Sequence, residues 1–142
     1  MSGRYIPSVI KDQVIIRANG RCEYCQCWAK NSIHTFNIEH VIPISREGGN
    51  ELDNLAYSCN GCNNAKSDKT EVFDLLTNSS VNLFNLRIHT WKDHFSWSND
   101  FLEVIGLTPI GRASILQLKL NRTGVKNMRR LTKIVGEHPP KE

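Results

Sequence analysis

Two Cys-x-x-Cys pairs, Cys22-Glu23-Tyr24-Cys25 and Cys59-Asn60-Gly61-Cys62, constrain this 142-residue chain more than any other feature. Zinc takes four soft or borderline ligands in a tetrahedron, and a structural site is closed by protein ligands alone. Cys22, Cys25, Cys59 and Cys62 supply four thiolates in two knuckles of the expected internal spacing, so a structural zinc ion is expected there. The knuckles are separated by 33 residues, more than the common zinc-finger distance, and a folded insert must fill that gap. A structural zinc contributes about 10–16 kcal/mol of apparent binding free energy, comparable to the whole stability of a small domain, about 5–15 kcal/mol. Four thiolates leave no open position for water, which makes this metal a poor candidate for catalysis. Cys27 falls outside the pattern and reads as a small hydrophobe.

The chain length suits one domain, residues 1–142, with a modest core helped by the metal. Pro7 to Asn19 reads as a helix. Proline suits its first turn, Ile10, Val14 and Ala18 recur every four residues, and Gly20 sits where a helix stops. Thr35 to Ile44 is rich in β-branched and aromatic residues and reads as a strand that Pro43 brings towards its end. Arg46-Glu47-Gly48-Gly49-Asn50 is a turn cluster. Leu52, Leu55 and Tyr57 lead back as a second strand, and Asn60 to Lys69 reads as a short helix seeded at the second knuckle. Beyond residue 71 the aromatics Phe84, Trp91, Phe95, Trp97 and Phe101 are expected to fill a core. Thr108-Pro109 starts a helix with Ile110, Ala113, Leu116 and Leu120 on one stripe. A last helix from Thr123 to Val135 places Val125, Met128, Leu131 and Val135 on a common side.

The net charge of +4 is unevenly placed: residues 1–71 carry eight Lys/Arg against eight Asp/Glu, and residues 72–142 carry ten against six. Arg112, Lys119, Arg122, Lys126, Arg129, Arg130 and Lys133 lie between Ile110 and Gly136 without an acid among them. Such a stripe suits a binder of the phosphate backbone; it equally suits two helices with solvated basic faces. The opening residues Met1 to Pro7 hold no apolar run of signal-peptide length, and no later run could span a bilayer. A cytoplasmic protein without a membrane partner is expected, with its cysteines reduced and free for metal.

Within the insert, Glu39-His40 is followed by Asn54 and Asn63. Glu39 offers a carboxylate and Asn63 an amide oxygen, hard ligands suited to magnesium or manganese. Imidazole suits proton transfer at neutral pH. Successive strand side chains point to opposite faces, so Glu39 and His40 serve one phosphate only if the strand ends or bulges there. Lys66, four positions after Cys62, reads either as a phosphate contact or as a solvated helix lysine. His34, His89 and His94 read as packing or surface residues.

Ile38-Glu39-His40-Val41-Ile42-Pro43, Gly48-Gly49, Leu52-Asp53-Asn54-Leu55 and Cys59-Asn60-Gly61-Cys62-Asn63-Asn64-Ala65-Lys66 together resemble the HNH endonuclease family over residues 17–70. The resemblance implies an α+β fold. Its ββα-metal (His-Me finger) core would be stapled by the structural zinc, preceded by the N-terminal helix and followed by an aromatic, basic and mainly helical extension over residues 71–142. It further implies metal-dependent hydrolysis of DNA to 5′-phosphate and 3′-hydroxyl ends. His40 would be the general base, Glu39 and Asn63 the ligands of a catalytic magnesium or manganese ion, and Asn54 the brace that aims His40. Asn63 stands where the family name has its last His, and Glu39 where the acid is more often Asp or His. Double-stranded DNA is the expected partner, because the site and the basic tail need only backbone contacts. The alternative is a zinc-knuckle module that binds nucleic acid or protein without cutting; it leaves Glu39, His40, Asn54 and Asn63 without a joint purpose.

Overall fold

The computed structural model describes residues 5–141; Met1 to Arg4, part of the stretch read above for a leader, and Glu142 lie outside it. The fold is mixed α+β, with small antiparallel sheets, and agrees with a ββα-metal core. Helix α1 (Ser8–Arg17) is entered from Pro7 and ends where Asn19 and Gly20 both take positive φ. That reversal delivers the chain into the first knuckle, which an Arg21–Trp28 bridge closes. Strand β1 (Asn37–His40) then pairs antiparallel with β2 (Leu55–Ser58), His40 opposite Leu55 and Glu39 opposite Ala56. The second knuckle opens α2 (Asn60–Lys66), whose first turn is capped by the Cys59 sulfur accepting from Cys62 N–H.

β1 is shorter than the apolar run suggests. After His40 the chain passes through Pro43 into a 3-10 turn at Ile44–Arg46, because proline cannot extend the ladder. Gly48 closes the following loop: a Cβ there would stand 1.7 Å from the Ile42 carbonyl oxygen. Arg17 at the end of α1 donates to the carbonyls of Leu52 (2.8 Å) and Leu55 (2.5 Å), fixing the approach to β2.

The extension holds two hairpins that sequence periodicity did not reveal: β3 (Glu71–Asp74) with β4 (Ser79–Asn82), and β5 (Phe95–Trp97) with β6 (Val104–Gly106). A short helix α3 (Trp91–His94) precedes β5. Strands of three or four residues are too brief to show a period. Helix α4 (Pro109–Leu118) starts as expected, with Thr108 Oγ1 accepting from Gly111 N–H. Its buried face differs from the expected stripe. Leu116 is exposed, whereas Ala113, Ser114 and Leu118 are buried, and the Ser114 hydroxyl accepts from the Phe84 N–H at 2.8 Å.

The same correction applies to α5 (Thr123–Ile134). Val125 is buried as expected, but Leu131 and Val135 face solvent, and Arg129 and Thr132 are buried in their place. Arg129 turns inward because it finds acceptors there: the carbonyls of Leu102 (2.9 Å) and Cys25 (3.2 Å) and the amide oxygen of Asn121 (3.1 Å). Four of the five aromatics expected in the core gather, while Phe101 is exposed. Phe84, Phe95, Trp91 and Trp97 stack in sequence at centroid distances of 4.9–5.5 Å. Among the described residues no helix is long and apolar enough to cross a membrane.

Buried Asp74 at the end of β3 joins this hairpin to α4. It takes two hydrogen bonds from Arg112 (3.2 and 3.1 Å) and two from the Thr77 hydroxyl and N–H. Arg112 and Thr77 hold its carboxyl down at about 2, against an ordinary 3.8. A carboxyl lowered on folding stabilises fully above its ordinary value, and that contribution is lost as the pH falls towards the folded value. Asp74→Asn should therefore lower the melting temperature at pH 7 and flatten the part of its acid decline that lies between about pH 4 and pH 2. Thermal unfolding across that range checks it; an unaltered acid limb would remove Asp74 from the hinge between hairpin and helix.

Candidate functional site

The two knuckles meet. The sulfurs of Cys22, Cys25, Cys59 and Cys62 all lie within 4.8 Å of one another, three of them on fully buried residues. With four soft donors and no carboxylate or imidazole among them, the cluster is arranged to hold a tetrahedral metal ion such as zinc. Hydrogen bonding from Cys22, Cys25 and Cys62 draws the Cys59 thiol far below its ordinary value, while the Cys22 and Cys62 thiols are pushed up, so the charge of the metal-free cluster sits on Cys59.

Arg122, expected on a nucleic-acid surface, is spent on that charge. Its guanidinium nitrogens lie 3.5 Å from the Cys59 sulfur and 3.7 Å from the Cys62 sulfur. Burial opposes its ionisation, yet the Cys62 and Cys59 sulfurs hold it protonated beyond its usual range. Gly61 leaves room for the approach, since a Cβ there would stand 2.4 Å from Arg122 Nη2. A four-thiolate zinc site carries about two negative charges once Zn²⁺ is bound, and a cation in the second shell offsets them.

His40 is the last residue of β1 and is half-exposed. Its Nε2 lies 2.7 Å from Asn50 Oδ1, and Asn50 Nδ2 donates to the Tyr5 carbonyl at 3.1 Å. Asn54 braces the loop after it. Its Oδ1 accepts from Ile42 N–H (2.8 Å), its Nδ2 donates to the carbonyls of Ile42 (3.0 Å) and Gly49 (2.9 Å), and its own carbonyl accepts from Val41 N–H (2.8 Å). Asn63 sits half-exposed on α2. Asn50, which touches the His40 ring, escaped sequence reading: the turn cluster located it, but nothing in that cluster told which loop residue turns back.

Glu39 is where strand alternation sends it, on the opposite side from His40. It is 6 % exposed, accepts from the Tyr24 hydroxyl through Oε2, and faces Lys66 Nζ at 3.6 Å through Oε1. Burial pushes its carboxyl above the ordinary value, while the Lys66 charge and the Tyr24 hydroxyl work the other way. The structure does not bring Glu39 to the open face with His40. Lys66 is likewise interior, 1 % exposed, and donates to the His40 carbonyl at 3.2 Å. Its ammonium reaches neither solvent nor a phosphate as placed.

The basic stripe divides in the same manner. Arg129 is buried, Arg112 is held by Asp74, Lys126 pairs with Glu103 at 3.2 Å, and Arg122 serves the thiolates. Lys119, Arg130 and Lys133 remain exposed, with Lys133 donating to the Asp100 carbonyl and Arg130 to the Asn127 amide oxygen. Among the histidines, His34 is exposed. His89 and His94 pack edge-on at 5.1 Å beside Phe84, and burial, then His94, lowers the His89 value.

Residues 22–69, the segment that carries the cage and His40, match the family model of the HNH endonucleases. No curated protein and no solved structure matches the chain.

Cys59→Ser should strip the bound metal and unfold the core, because the cage accounts for a free energy on the scale of the whole fold. Arg122→Ala should leave the fold intact and speed release of zinc to a chelator. Metal content by mass spectrometry, melting temperature and a chelator-competition time course measure both; equal release rates for Arg122→Ala and wild type would dismiss the charge-offset role.

Proposed function

From the match of residues 22–69 to the HNH endonuclease family model, we propose that the protein hydrolyses phosphodiester bonds of double-stranded DNA, with His40 taking the proton from the attacking water. The observation that supports this reading best is the way one half-exposed imidazole is held. Asn50 fixes its ring, Asn54 fixes the loop that follows, and its strand ends where a substrate can approach.

The tautomer follows from the network. Asn50 Nδ2 is committed to the Tyr5 carbonyl, so the Asn50 oxygen faces the ring and must receive a proton from it. Neutral His40 then carries its hydrogen on Nε2 and a free lone pair on Nδ1, which is the atom that accepts the water proton. The amide oxygen of Asn50 steadies the imidazolium that forms. The resulting hydroxide adds to phosphorus, the bond from phosphorus to the 3′ oxygen breaks, and that oxygen takes up a proton to leave a 3′-hydroxyl opposite a 5′-phosphate. A positioned general base is worth about 10²–10⁴-fold in rate.

The expected magnesium or manganese ion does not fit Glu39 as this residue is placed. One carboxylate oxygen takes the Tyr24 hydroxyl and the other faces the Lys66 ammonium, so a cation on Glu39 would stand against Lys66. Lys119, Arg130 and Lys133, exposed on the last two helices, are the residues proposed to meet the DNA backbone.

Plasmid nicking by the zinc-loaded protein, with magnesium, with manganese and with neither, tests the reading. His40→Ala should lower the rate about 10²–10⁴-fold at unchanged zinc content and melting temperature. Equal cutting by His40→Ala would end the assignment. DNA binding without a cut under any of the three conditions would instead favour the non-catalytic zinc-knuckle module.

A further inference from the structure

Lys66, Glu39 and Tyr24 form a buried charged group in contact with the backbone of His40, with exposures of 1, 6 and 2 %. Removing an ammonium and a carboxylate from water costs several kcal/mol per ion, and a well-packed apolar pair is often as stable or more so. Stability alone therefore explains these residues poorly, and the position of the ammonium supplies a reason.

The β1–β2 sheet has two strands. Val41 N–H donates to the Asn54 carbonyl at 2.8 Å, so by antiparallel alternation His40 and Leu55 form the non-hydrogen-bonded pair, and the His40 carbonyl points away from β2. It has no third strand to meet. Lys66 Nζ, reaching back from the last turn of α2, donates to it at 3.2 Å, with the Glu39 carboxylate 3.6 Å away and the Tyr24 hydroxyl behind that carboxylate. The peptide joining Glu39 to His40 is thus held at both of its residues: the carboxylate is drawn inward and the following carbonyl is tied to the helix.

We propose that Lys66 is a positioning residue for His40, clamping its carbonyl to helix α2, and that Glu39 and Tyr24 hold the Lys66 ammonium in place. The inference rests on His40 being the base, but the clamp itself is observable without cleavage. The side chain the sequence offered as a phosphate contact acts through the backbone of the catalytic residue, and the acid offered as a metal ligand is its counter-ion.

The test uses the full chain with zinc bound, as wild type, Lys66→Met, Glu39→Gln, Tyr24→Phe, the Lys66→Met/Glu39→Gln double variant, and Lys69→Met as an exposed control. Nuclear magnetic resonance of wild type should show a Lys66 ammonium protected from exchange. Lys66→Met should shift the His40 ring signals and speed exchange of the Val41 N–H, and Lys69→Met should move neither. If wild type cuts plasmid, Lys66→Met should lower kcat about 10- to 100-fold, the scale of a misplaced reacting group, with KM near the wild-type value. The double variant should lose no more than the larger single loss.

An unprotected Lys66 ammonium, or His40 signals unchanged in Lys66→Met, would overturn the proposal. So would a Glu39→Gln variant that raises the divalent cation needed for half-maximal cutting while Lys66→Met leaves it unchanged, which would return Glu39 to a metal. Should Lys66→Met fail to fold, the protected ammonium and the smaller His40 shift expected in Tyr24→Phe decide the matter. Wild type that does not cut at all would defeat the nuclease reading and leave the clamp to the resonance data.

Discussion

Four sulfurs within 4.8 Å of one another gather the two knuckles into one cluster, beside the Glu23 N–H bond to the Tyr57 carbonyl that ties the first knuckle to β2. The first knuckle follows α1 and the second begins α2; the insert between them has a two-stranded sheet of four residues per strand. An isolated hairpin of that size is marginal in water. A metal ion in that cage would fix the two ends of the hairpin and limit the freedom it recovers on unfolding, and with them the crossing of α2 over the sheet. The position of Lys66 against the His40 carbonyl, and of Glu39 against Lys66, follows from that crossing.

The extension completes the cage from outside. Arg129 donates to the Cys25 carbonyl, Arg122 lies against Cys59 and Cys62, and Gln117 donates to the Ala65 carbonyl of α2 at 2.8 Å. Three residues that composition alone assigns to a basic surface or a polar helix face are struts against the core, Arg129 buried and Arg122 and Gln117 half-buried. The reason is electrostatic. A thiolate cluster and a set of unpaired loop carbonyls are strong acceptors in a low-dielectric setting, and arginine presents five donors in a rigid fork that satisfies several at once. What remains for a polyanion is a smaller patch than the residue count implies.

Much of the core and part of the site could be read from the chain. The knuckle spacing gave the cage, Pro7 and Gly20 bracketed the first helix, Thr108-Pro109 began α4, and Asn54 was expected to brace the loop that it does brace in space. Less legible were the hairpins of the extension, whose strands are too short for a period of two to show. Helix faces were also misread. Leu116, Leu131 and Val135 fit an apolar stripe, yet they face solvent while Ser114, Arg129 and Thr132 are buried. A hydrophobic pattern scores apolar side chains alone, and these helices bury polar ones that find partners.

Residue identity and spacing by themselves determined the cysteine cage and the α+β class, because each depends on local geometry or on ligand number. Only the tertiary structure decided which charges are spent inside. Glu39, Lys66, Arg122 and Arg129 are ionisable residues whose types favour solvent, and nothing in their neighbours along the chain marks them as buried. Glu39, Lys66 and Arg129 are buried and Arg122 is half-buried, each against an opposite charge or an unpaired carbonyl supplied by residues 26 to 104 positions away in sequence.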